Sequence, residues 1–468
     1  MAKAFLPYSI DQRLLLPPDM REWLPEGHLA LFVSDVVDSI DLSPVLAACE
    51  GKDDRGRSGY HPVMVVKLLV YAYCVGKTSS RKIERATYED VAFRVLAGDQ
   101  HPDHDSIASF RQRHLQALAG FFVEVLRLCQ QAGLVKLGHI AIDGTKIGAN
   151  ASKHKAMSYG RMGEAEKKLE EEVQRLLAEA ERTDVEEDAR FGKGKRGDEL
   201  PDELARRESR LRKIREAKAA LEAEAKARAE EKAAEAQAKL EERARKEAET
   251  GRKMGGRPPA VPDPEQAKPD PKSQRNFTDP ESRIMPDGSH KGSFVQGYNA
   301  QIAVDGKAQI IVAAEVTQQP QDKLQLVPMA EKIVENVGRL ADTTTADAGY
   351  FSEAAVEHPA LQGTNLLVPP DRLKHSQAQP APSTNEEAPS VTQRMRDRLR
   401  TPEGKDAYRM RKAIVEPVFG QIKEERGFRR FAMRGIEKVR AEFQLIATGH
   451  NLLKLFRSGH RPIRLAAI

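Results

Sequence analysis

The feature that most constrains the fold is a short β-prone stretch, residues 138–147, whose apolar part ends in an aspartate. Its isoleucines are β-branched, and Asp143 is followed by Gly144. This pattern predicts a buried strand that is closed at the glycine. A carboxylate beside a core is costly unless it is paired or holds a metal, so the pattern raises the question of what Asp143 binds. Taken alone, the Asp-Gly dipeptide is more typical of a turn than of a catalytic site.

Two later stretches carry acidic residues in comparable positions. Residues 341–350 form a second β-prone run, which reaches Asp347 and is followed by Ser352 and Glu353, a pair that can open a helix. Glu416 lies on a strongly basic segment that is predicted to be helical. Two strand-end aspartates and one helical glutamate, far apart in sequence, supply the hard oxygen ligands that a two-Mg²⁺ phosphoryl-transfer site needs.

The positive charge of the chain is concentrated beside that glutamate. Charged residues make up 31% of the sequence, although the net charge is only +5. Between Arg394 and Arg440 there are 15 Lys or Arg residues against 7 Asp or Glu, a local net charge of +8, so the remainder of the chain is net acidic. A basic segment next to a candidate ligand predicts a polyanionic partner. A solvated amphipathic helix would give the same pattern.

Cysteine usage and apolar segments indicate the compartment. Cys49, Cys74 and Cys129 are scattered among apolar residues without the paired spacing of a zinc site, which predicts buried thiols in a reducing compartment. The first residues lack a signal-peptide pattern, and no apolar run is long enough to span a bilayer. We therefore expect a cytoplasmic protein, and the apolar content of 40% predicts a substantial core.

Periodicity indicates a helical N-terminal region and a helical insertion. Residues 1–137 are predicted to be mostly helical, and the segments around Arg81 and Arg111 combine capping residues with arginines, as in helix-turn-helix contacts with DNA. Two ordinary capped helices fit these segments equally well. Residues 151–291 predict an inserted, charged antiparallel helical hairpin with a flexible Gly/Pro/Lys-rich linker over 251–275. A spacer is the favoured role for this insertion, ahead of DNA clamping or dimerisation.

The remaining residues predict an α/β core. Residues 294–316 form a hairpin signal around Asp305-Gly306, and a helix, the Asp347 strand, a short helix, another strand and the basic helices follow. A hairpin plus crossovers onto one mixed sheet predicts a fold of ribonuclease H type. Other acidic residues have plainer explanations, with Asp305 as a turn residue, Asp322 as a helix cap and Asp342 as a strand-edge residue.

Lys412, Glu416 and Lys423 share one face of the predicted C-terminal helix. Lys412 precedes Glu416 by about one turn, and Lys423 follows it by about two turns. A glutamate flanked by lysines in this way can ligate a cation, while the lysines steer a phosphate towards it. On spacing alone, an ion pair between Lys412 and Glu416 is the better explanation. Pro417 nevertheless indicates a kink that an ordinary solvated helix would avoid.

Taken together, these motifs resemble the DDE transposases of bacterial insertion sequences, in the group with an N-terminal helical domain and a Tyr-Arg-Glu-Lys signature. The resemblance runs over nearly the whole chain outside residues 151–275. The stretches that carry it are Pro7-Tyr8, Ser79-Ser80-Arg81 with Ile83-Glu84, Asp105-Ser106-Ile107 with Phe110-Arg111, Ile142-Asp143-Gly144-Thr145, Phe294-Val295-Gln296-Gly297-Tyr298-Asn299-Ala300-Gln301, Ala346-Asp347-Ala348-Gly349-Tyr350 and Val415-Glu416-Pro417-Val418-Phe419-Gly420-Gln421-Ile422-Lys423.

The resemblance implies a role for each matching residue. It makes Asp143, Asp347 and Glu416 the catalytic, metal-binding triad for two Mg²⁺ ions, with Mn²⁺ as a substitute. The expected DNA contacts are Tyr408, Arg411, Lys412 and Lys423 of the signature, together with Arg81 and Arg111 of the N-terminal helices. The family spacing from Tyr to Arg selects Arg411, whereas its spacing from Arg to Glu selects Lys412, so both stay candidates for the signature position.

The function implied is transposition of a mobile element. A transposase of this kind binds the double-stranded ends of its insertion sequence, cleaves them with a metal-bound water and joins the freed 3′-hydroxyl to target DNA. We expect a homo-oligomer on DNA in the bacterial cytoplasm, associated with the nucleoid, without a membrane partner. The expected domains are a helical end-binding domain over 1–137, a ribonuclease H-like core over 138–150 plus 292–458, and the insertion over 151–291. The alternatives are a related nuclease without strand transfer and a non-catalytic, DNA-binding relic.

Overall fold

The computed structural model describes residues 19–50, 59–191, 202–251, 255–287, 292–371 and 390–460. Two compact units account for them, the first drawn from residues 1–148 and 298–468 and the second from residues 149–297. The second unit contains the predicted insertion, while the N-terminal helices share the first unit with the sheet strands. Pro7-Tyr8 lies outside the described residues. Within the described residues, no helix combines the length and apolar character needed to cross a membrane.

The N-terminal region is helical, as predicted. Its helices are α1 (Leu29–Ser39), α2 (Ser43–Glu50), α3 (Pro62–Cys74), α4 (Ser80–Glu89), α5 (Val91–Leu96), α6 (His104–Arg113) and α7 (Leu115–Gln131). α3 begins with a proline, whose fixed backbone angle suits the first turn, and its apolar residues are buried over most of its length. The Asp103 carboxylate caps α6 by accepting a hydrogen bond from the Ser106 backbone N–H at 2.8 Å.

The first strand, β1 (His139–Gly148), continues beyond the glycine that was expected to close it. Gly144 lies in close contact with neighbouring side chains, since a Cβ there would overlap the Gln301 amide nitrogen and come within 3.0 Å of Asp322 Oδ1. The absence of a side chain therefore lets a buried amide pack against the strand. The Asp-Gly dipeptide is inside a strand, so the explanation of Asp143 as a turn residue is wrong.

The second unit contains the helical hairpin that was predicted for the insertion. Its elements are β2 (Ala156–Ser158), α8 (Tyr159–Phe191), α9 (Asp202–Thr250), β3 (Gln274–Asn276) and β4 (Arg283–Pro286). The Tyr159 hydroxyl donates to Glu222 at 2.7 Å and Arg207 pairs with Glu172 at 3.5 Å, so α8 and α9 are antiparallel. Between them lies a small core of Met162, Leu169, Leu211, Ile214, Ala217 and Leu221.

The prediction of a flexible linker after α9 is wrong for residues 264–275. A 3-10 turn, Pro264–Gln266, and the antiparallel pairing of β2 with β3 order this segment. Glu265 pairs with Lys226 on α9, and Arg275 donates to Glu224 on the same helix at 2.6 Å. The high Gly and Pro content suggested a linker, but ion pairs to a distant part of the chain fix its path.

The sheet of the first unit has the mixed arrangement that was predicted. β5 (Phe294–Asp305) pairs with β6 (Ile310–Thr317) as an antiparallel hairpin, and β1 is parallel to β7 (Thr343–Thr345), which is parallel to β8 (Asn365–Leu367). Within this unit the strand order is β6-β5-β1-β7-β8. β5 also pairs with β1. The residue after the end of β5, Gly306, donates its backbone N–H to the carbonyl of His139 at the start of β1, at 2.8 Å, so these two strands are antiparallel.

The connections and the C-terminal region are helical. α10 (Leu326–Val337) leads from β6 to β7, and α11 (Glu353–Val356) lies between β7 and β8. α12 (Val391–Arg400) and α13 (Pro402–Gly420) follow, then a π-helical turn, Gln421–Glu425, and α14 (Ile436–Arg457). α13 packs on β1 and β7, while α14 packs on α3, α7 and β6. The C-terminal helices therefore cover the sheet, and α13 packs on the two strands that lead to Asp143 and Asp347.

Candidate active site

The pairing of two parallel strands brings two aspartates to the same level of the sheet. Ala141 of β1 is aligned with Thr345 of β7. Two residues after each of them comes an aspartate, Asp143 after Ala141 and Asp347 after Thr345. Burial raises the pKa of Asp143 to about 6, and the negative charge of Asp347 adds to this rise. The two aspartates that were predicted from separate motifs therefore interact in the folded chain.

Asp143 forms an ion pair with a signature residue. One terminal nitrogen of the Arg411 guanidinium lies 3.1 Å from Asp143 Oδ2, and the two side chains are only 9% and 20% exposed, respectively. The positive charge of Arg411 opposes the effect of burial on the pKa of Asp143. The Tyr408 ring lies beside the same guanidinium, 5.9 Å from its central carbon. Tyr408 and Arg411 thus belong to the surroundings of Asp143.

Lys423 reaches the same strand from the π-helical turn. Its Nζ lies 3.1 Å from Thr145 Oγ1 and 3.4 Å from Lys146 O. Thr145 is two residues after Asp143, so both side chains project from one face of β1. The basic groups of Arg411 and Lys423 therefore contact one face of β1 at adjacent positions.

Lys412 and Glu416 have a different placement, since both are exposed on α13. Within the described residues no ion pair joins Lys412 to Glu416, although their spacing of four residues on a helix would allow one. Glu416 follows Arg411 by five residues, which is about 140° further around a helix of 3.6 residues per turn. Glu416 therefore does not share the helix face from which Arg411 contacts Asp143.

A third aspartate belongs to the site, although the sequence suggested a helix cap. The cap of α10 is Gln325, whereas Asp322 Oδ1 accepts hydrogen bonds from the side-chain amides of Asn299 and Gln301, at 2.7 Å each. Lys146 Nζ lies 3.5 Å from the same oxygen. The helix-cap prediction is wrong, because buried amides on β5 draw the carboxylate to the sheet. The alternation of Asn299 and Gln301 along a buried strand was the available signal.

Tyr350 is buried beside the aspartates and forms a hydrogen bond with Gln301, the residue that also donates to Asp322. Its hydroxyl donates to Gln301 Oε1. Burial raises the pKa of Tyr350 well above its usual value, and the negative charges of Asp322, Asp143 and Asp347 add to this rise. A single buried side chain is thus within electrostatic reach of all three carboxylates.

The donor set fits a divalent cation only in part. Asp143 and Asp347 offer carboxylate oxygens, which hard divalent ions prefer, and a cation would relieve the repulsion between them. Among the described residues, however, no group of three or more acidic, His or Cys side chains is positioned to hold a metal ion. The carboxylates of Asp143 and Asp347 therefore offer hard oxygen ligands, while Glu416 lies on a different face of α13 from the one that contacts Asp143.

The two N-terminal arginines differ in placement. Arg81 is exposed in the first turn of α4. Arg111 is only 7% exposed and donates hydrogen bonds to the Thr78 carbonyl at 2.6 Å and to Ser80 Oγ at 3.3 Å. Its burial does not favour the DNA contact predicted for it, whereas the position of Arg81 is compatible with one.

Comparison with known families identifies two transposase domains. A family model described as a transposase domain (DUF772) matches residues 18–113, and a model described as a transposase DDE domain matches residues 374–456. The first match spans α1 to α6, and the second includes α13 with Arg411 and Glu416. No curated protein and no solved structure matches the chain.

Proposed function

Because the chain is a DDE transposase of insertion-sequence type, we propose that it binds the ends of its own element and catalyses metal-dependent DNA cleavage and strand transfer. The observation that carries this proposal is the pair of aspartates at the same level of β1 and β7. Two carboxylates at the same level of neighbouring parallel strands, with the charge of one raising the pKa of the other, are typical of a cation site. Pairing of two DNA ends would require a homo-oligomer, which belongs to the same proposal.

The proposed catalytic core is ribonuclease H-like. Support comes from the strand order β6-β5-β1-β7-β8, in which a hairpin lies on one side of β1 and two parallel strands lie on the other. The proposed core comprises residues 138–150 and 292–458, and the proposed end-binding domain comprises residues 1–137. Exposed Arg81 is the better supported of the two N-terminal DNA contacts.

Each candidate site residue of the first unit has a proposed role in binding the cation or the DNA. Asp143 and Asp347 would hold a divalent cation, Mg²⁺ or Mn²⁺, which when bound supplies positive charge to a reacting phosphate. Arg411 holds the Asp143 carboxylate in place by its ion pair, and Lys423 adds positive charge beside Thr145 on the same strand face. The proposed contacts to DNA on α13 are the half-buried Tyr408 and the exposed Lys412 and Glu416. Glu416 would supply a further carboxylate to the site once DNA is bound.

A second candidate is a DNA-binding relic without catalytic activity. It is favoured by the exposure of Glu416 and by the incomplete set of metal ligands among the described residues. The two candidates differ in whether DNA ends are cut, and a nuclease without strand transfer differs from a transposase in whether the cut ends are joined to new DNA.

The decisive experiment is cleavage of DNA that carries the sequences flanking the gene. We expect wild-type protein to cut it with Mg²⁺ and to stop when a chelator is added. Asp347→Asn should reduce cleavage by more than about 100-fold, the upper end of what loss of an outer-shell metal partner costs, while end binding persists. Asp342→Asn is the matched control, because that carboxylate is exposed and, among the described residues, its one ion pair is with nearby Arg339.

Each other outcome of this assay selects an alternative. Cleavage by Asp347→Asn at the wild-type rate, or cleavage that survives the chelator, would refute the metal-carboxylate proposal. Tight binding of the ends without cleavage by wild-type protein would identify the relic. Cleavage without any product joined to target DNA would identify the nuclease.

A further inference from the structure

The second unit contains a cavity whose charged lining is entirely basic. Its volume is about 580 Å³, and it lies between the start of α9 and the segments that flank β2 and β3. Its cations are Lys155, Arg206, Arg210 and Lys213, and His154 adds an imidazole. Among the described residues that line it, none is acidic. A concave basic site without acidic residues would attract an anionic ligand.

The cations on α9 differ from the other basic residues of that helix. Arg206, Arg210 and Lys213 follow one another at spacings of four and three residues, so they share one helix face. Within the described residues, none of the three has an acidic partner. On the face that packs towards α8, Arg207 pairs with Glu172 and Lys218 pairs with Glu166. One face of α9 therefore uses its basic groups for the hairpin, and the other directs them into the cavity.

The opposite wall of the cavity is held in place by backbone and side-chain bonds. Ala156 is aligned with Asn276 in the β2–β3 pair, and Phe277 N donates to Lys155 O at 3.0 Å. The Asn276 side chain accepts from Thr278 N at 2.9 Å. Phe277 packs on the apolar core of the hairpin and lines the cavity. The lining is thus preorganised, which lowers the entropy cost of binding.

We propose that this cavity binds phosphate groups of the DNA backbone, with Arg206, Arg210 and Lys213 as the principal cations. Ser209 and Thr278 also line it, and side-chain hydroxyl groups can donate to phosphate oxygens. Identification of the polyanion as DNA rests on the proposed function. The insertion is then a DNA-gripping element rather than a spacer.

The test measures the salt dependence of DNA binding by the full chain. Each phosphate neutralised by Lys or Arg contributes about 0.9 to the slope of log affinity against log salt concentration. The double variant Arg210→Gln/Lys213→Gln should therefore lose about 1.8 from the slope between about 50 and 200 mM salt, and about 30-fold or more in affinity at about 0.1 M. A fluorescent duplex of unrelated sequence is the probe, because backbone contacts do not depend on sequence.

The matched control is Arg212→Gln/Lys232→Gln. Both residues are exposed on α9, neither lines the cavity, and the control removes the same charge from the same helix. The slope should stay at the wild-type value in this control. A slope that is unchanged in Arg210→Gln/Lys213→Gln, or lowered equally in the control, would overturn the proposal. The thermal midpoints of both double variants show whether they are folded. If Arg210→Gln/Lys213→Gln is unfolded, the single variant Arg210→Gln replaces it, with an expected loss of about 0.9 from the salt slope.

Two further results separate this proposal from the proposed function. If wild-type protein never cleaves DNA but the cavity variant still loses slope, the cavity proposal stands and the catalytic one fails. If wild-type protein cleaves and the cavity variant keeps the full slope, the catalytic proposal stands and the cavity one fails. Binding of a polyglutamate peptide that depends on Arg210, together with DNA binding that does not, would assign the cavity to an acidic protein partner and overturn the DNA proposal.

Discussion

Basic side chains serve different purposes in the two units. In the first unit, Arg411 is fixed against Asp143 and Lys423 is fixed against Thr145. In the second unit, Arg210 and Lys213 line a cavity in which no described residue is acidic. The signature cations therefore organise the acidic site, while cations outside any signature are available to phosphate. A motif marks residues that hold a site together, and it does not mark every residue that can bind the ligand.

The strongest way to break this comparison is to remove Arg411, the buried cation that is paired with Asp143 in the first unit. Arg411→Ala leaves Asp143 buried without its partner, and we expect the free energy of unfolding at pH 7 to fall by about 3 kcal/mol. This is the lower end of the usual range, because Asp143 is partly exposed and protonation can neutralise it. Urea unfolding followed by circular dichroism measures the change.

Arg409→Ala is the control for that variant, since it removes the same side chain two residues away on α13. The Arg409 side chain is 82% exposed and its ion pair with Asp406 spans 3.5 Å, so we expect a loss below about 0.5 kcal/mol. Equal losses for Arg409→Ala and Arg411→Ala would show that Arg411 is no more organised than a surface arginine, and the contrast between the two units would disappear.

A buried titratable group gives the first unit a pH dependence. Burial, with a smaller effect of the Arg426 charge, lowers the pKa of His450 to about 3, and the His450 ring lies 2.8 Å from the Gln309 carbonyl. The unfolded chain binds this proton near pH 6.5, so the native state loses stability as pH falls below about 6.5 and continues to lose it down to about pH 3. Between pH 7 and pH 5 the loss from this group is about 2 kcal/mol.

The measurement compares urea unfolding of wild type and His450→Gln at both pH values. The variant removes the titrating group, so its stability should change by about 2 kcal/mol less than that of wild type over this interval. His154→Gln, which alters an exposed histidine of the second unit, should behave like wild type. The same pH response in His450→Gln and wild type would contradict the assignment of a neutral, buried imidazole.

The sequence patterns were sufficient for most elements of both units but not for long-range side-chain contacts. The hairpin of β5 and β6 follows from two β-prone runs around Asp305-Gly306, and the Asp305 carboxylate accepts a hydrogen bond from Lys307 N at 2.8 Å, as expected for a turn. The ordered path of the segment after α9 was missed because it depends on the ion pair between Glu265 and Lys226, and composition carries no signal for such a pair.

The candidate site shows the same limit. Asp143 and Asp347 could be selected from the sequence, because each follows a β-prone run, and the parallel pairing of β1 with β7 brings them to the same level. Asp322 could not, because its position depends on two amides that lie more than twenty residues earlier in the chain. Arg111 shows the opposite error, since nothing local in the sequence distinguishes a buried arginine from an exposed one.

The smallest effect is expected for an ion pair of the second unit. Glu166 accepts hydrogen bonds from Arg215 at 3.0 Å and from Lys218 at 2.8 Å, and the Arg215 side chain is 48% exposed. Glu166→Gln keeps the shape of the side chain and loses only its charge, so we expect a loss of about 0.5–1 kcal/mol in urea unfolding, because water screens such pairs. Glu171→Gln, an exposed change on the same helix, should have no measurable effect.

Salt distinguishes this pair from the buried pair of the first unit. At about 1 M salt the screening length falls to about 3 Å, so the effect of Glu166→Gln should disappear while that of Arg411→Ala persists. If Glu166→Gln costs as much as Arg411→Ala and resists salt, the ion pairs of the hairpin are as organised as those of the acidic site. Arg206, Arg210 and Lys213, which have no acidic partner among the described residues, would then be exceptions within α9, and this would strengthen the case that they bind a ligand.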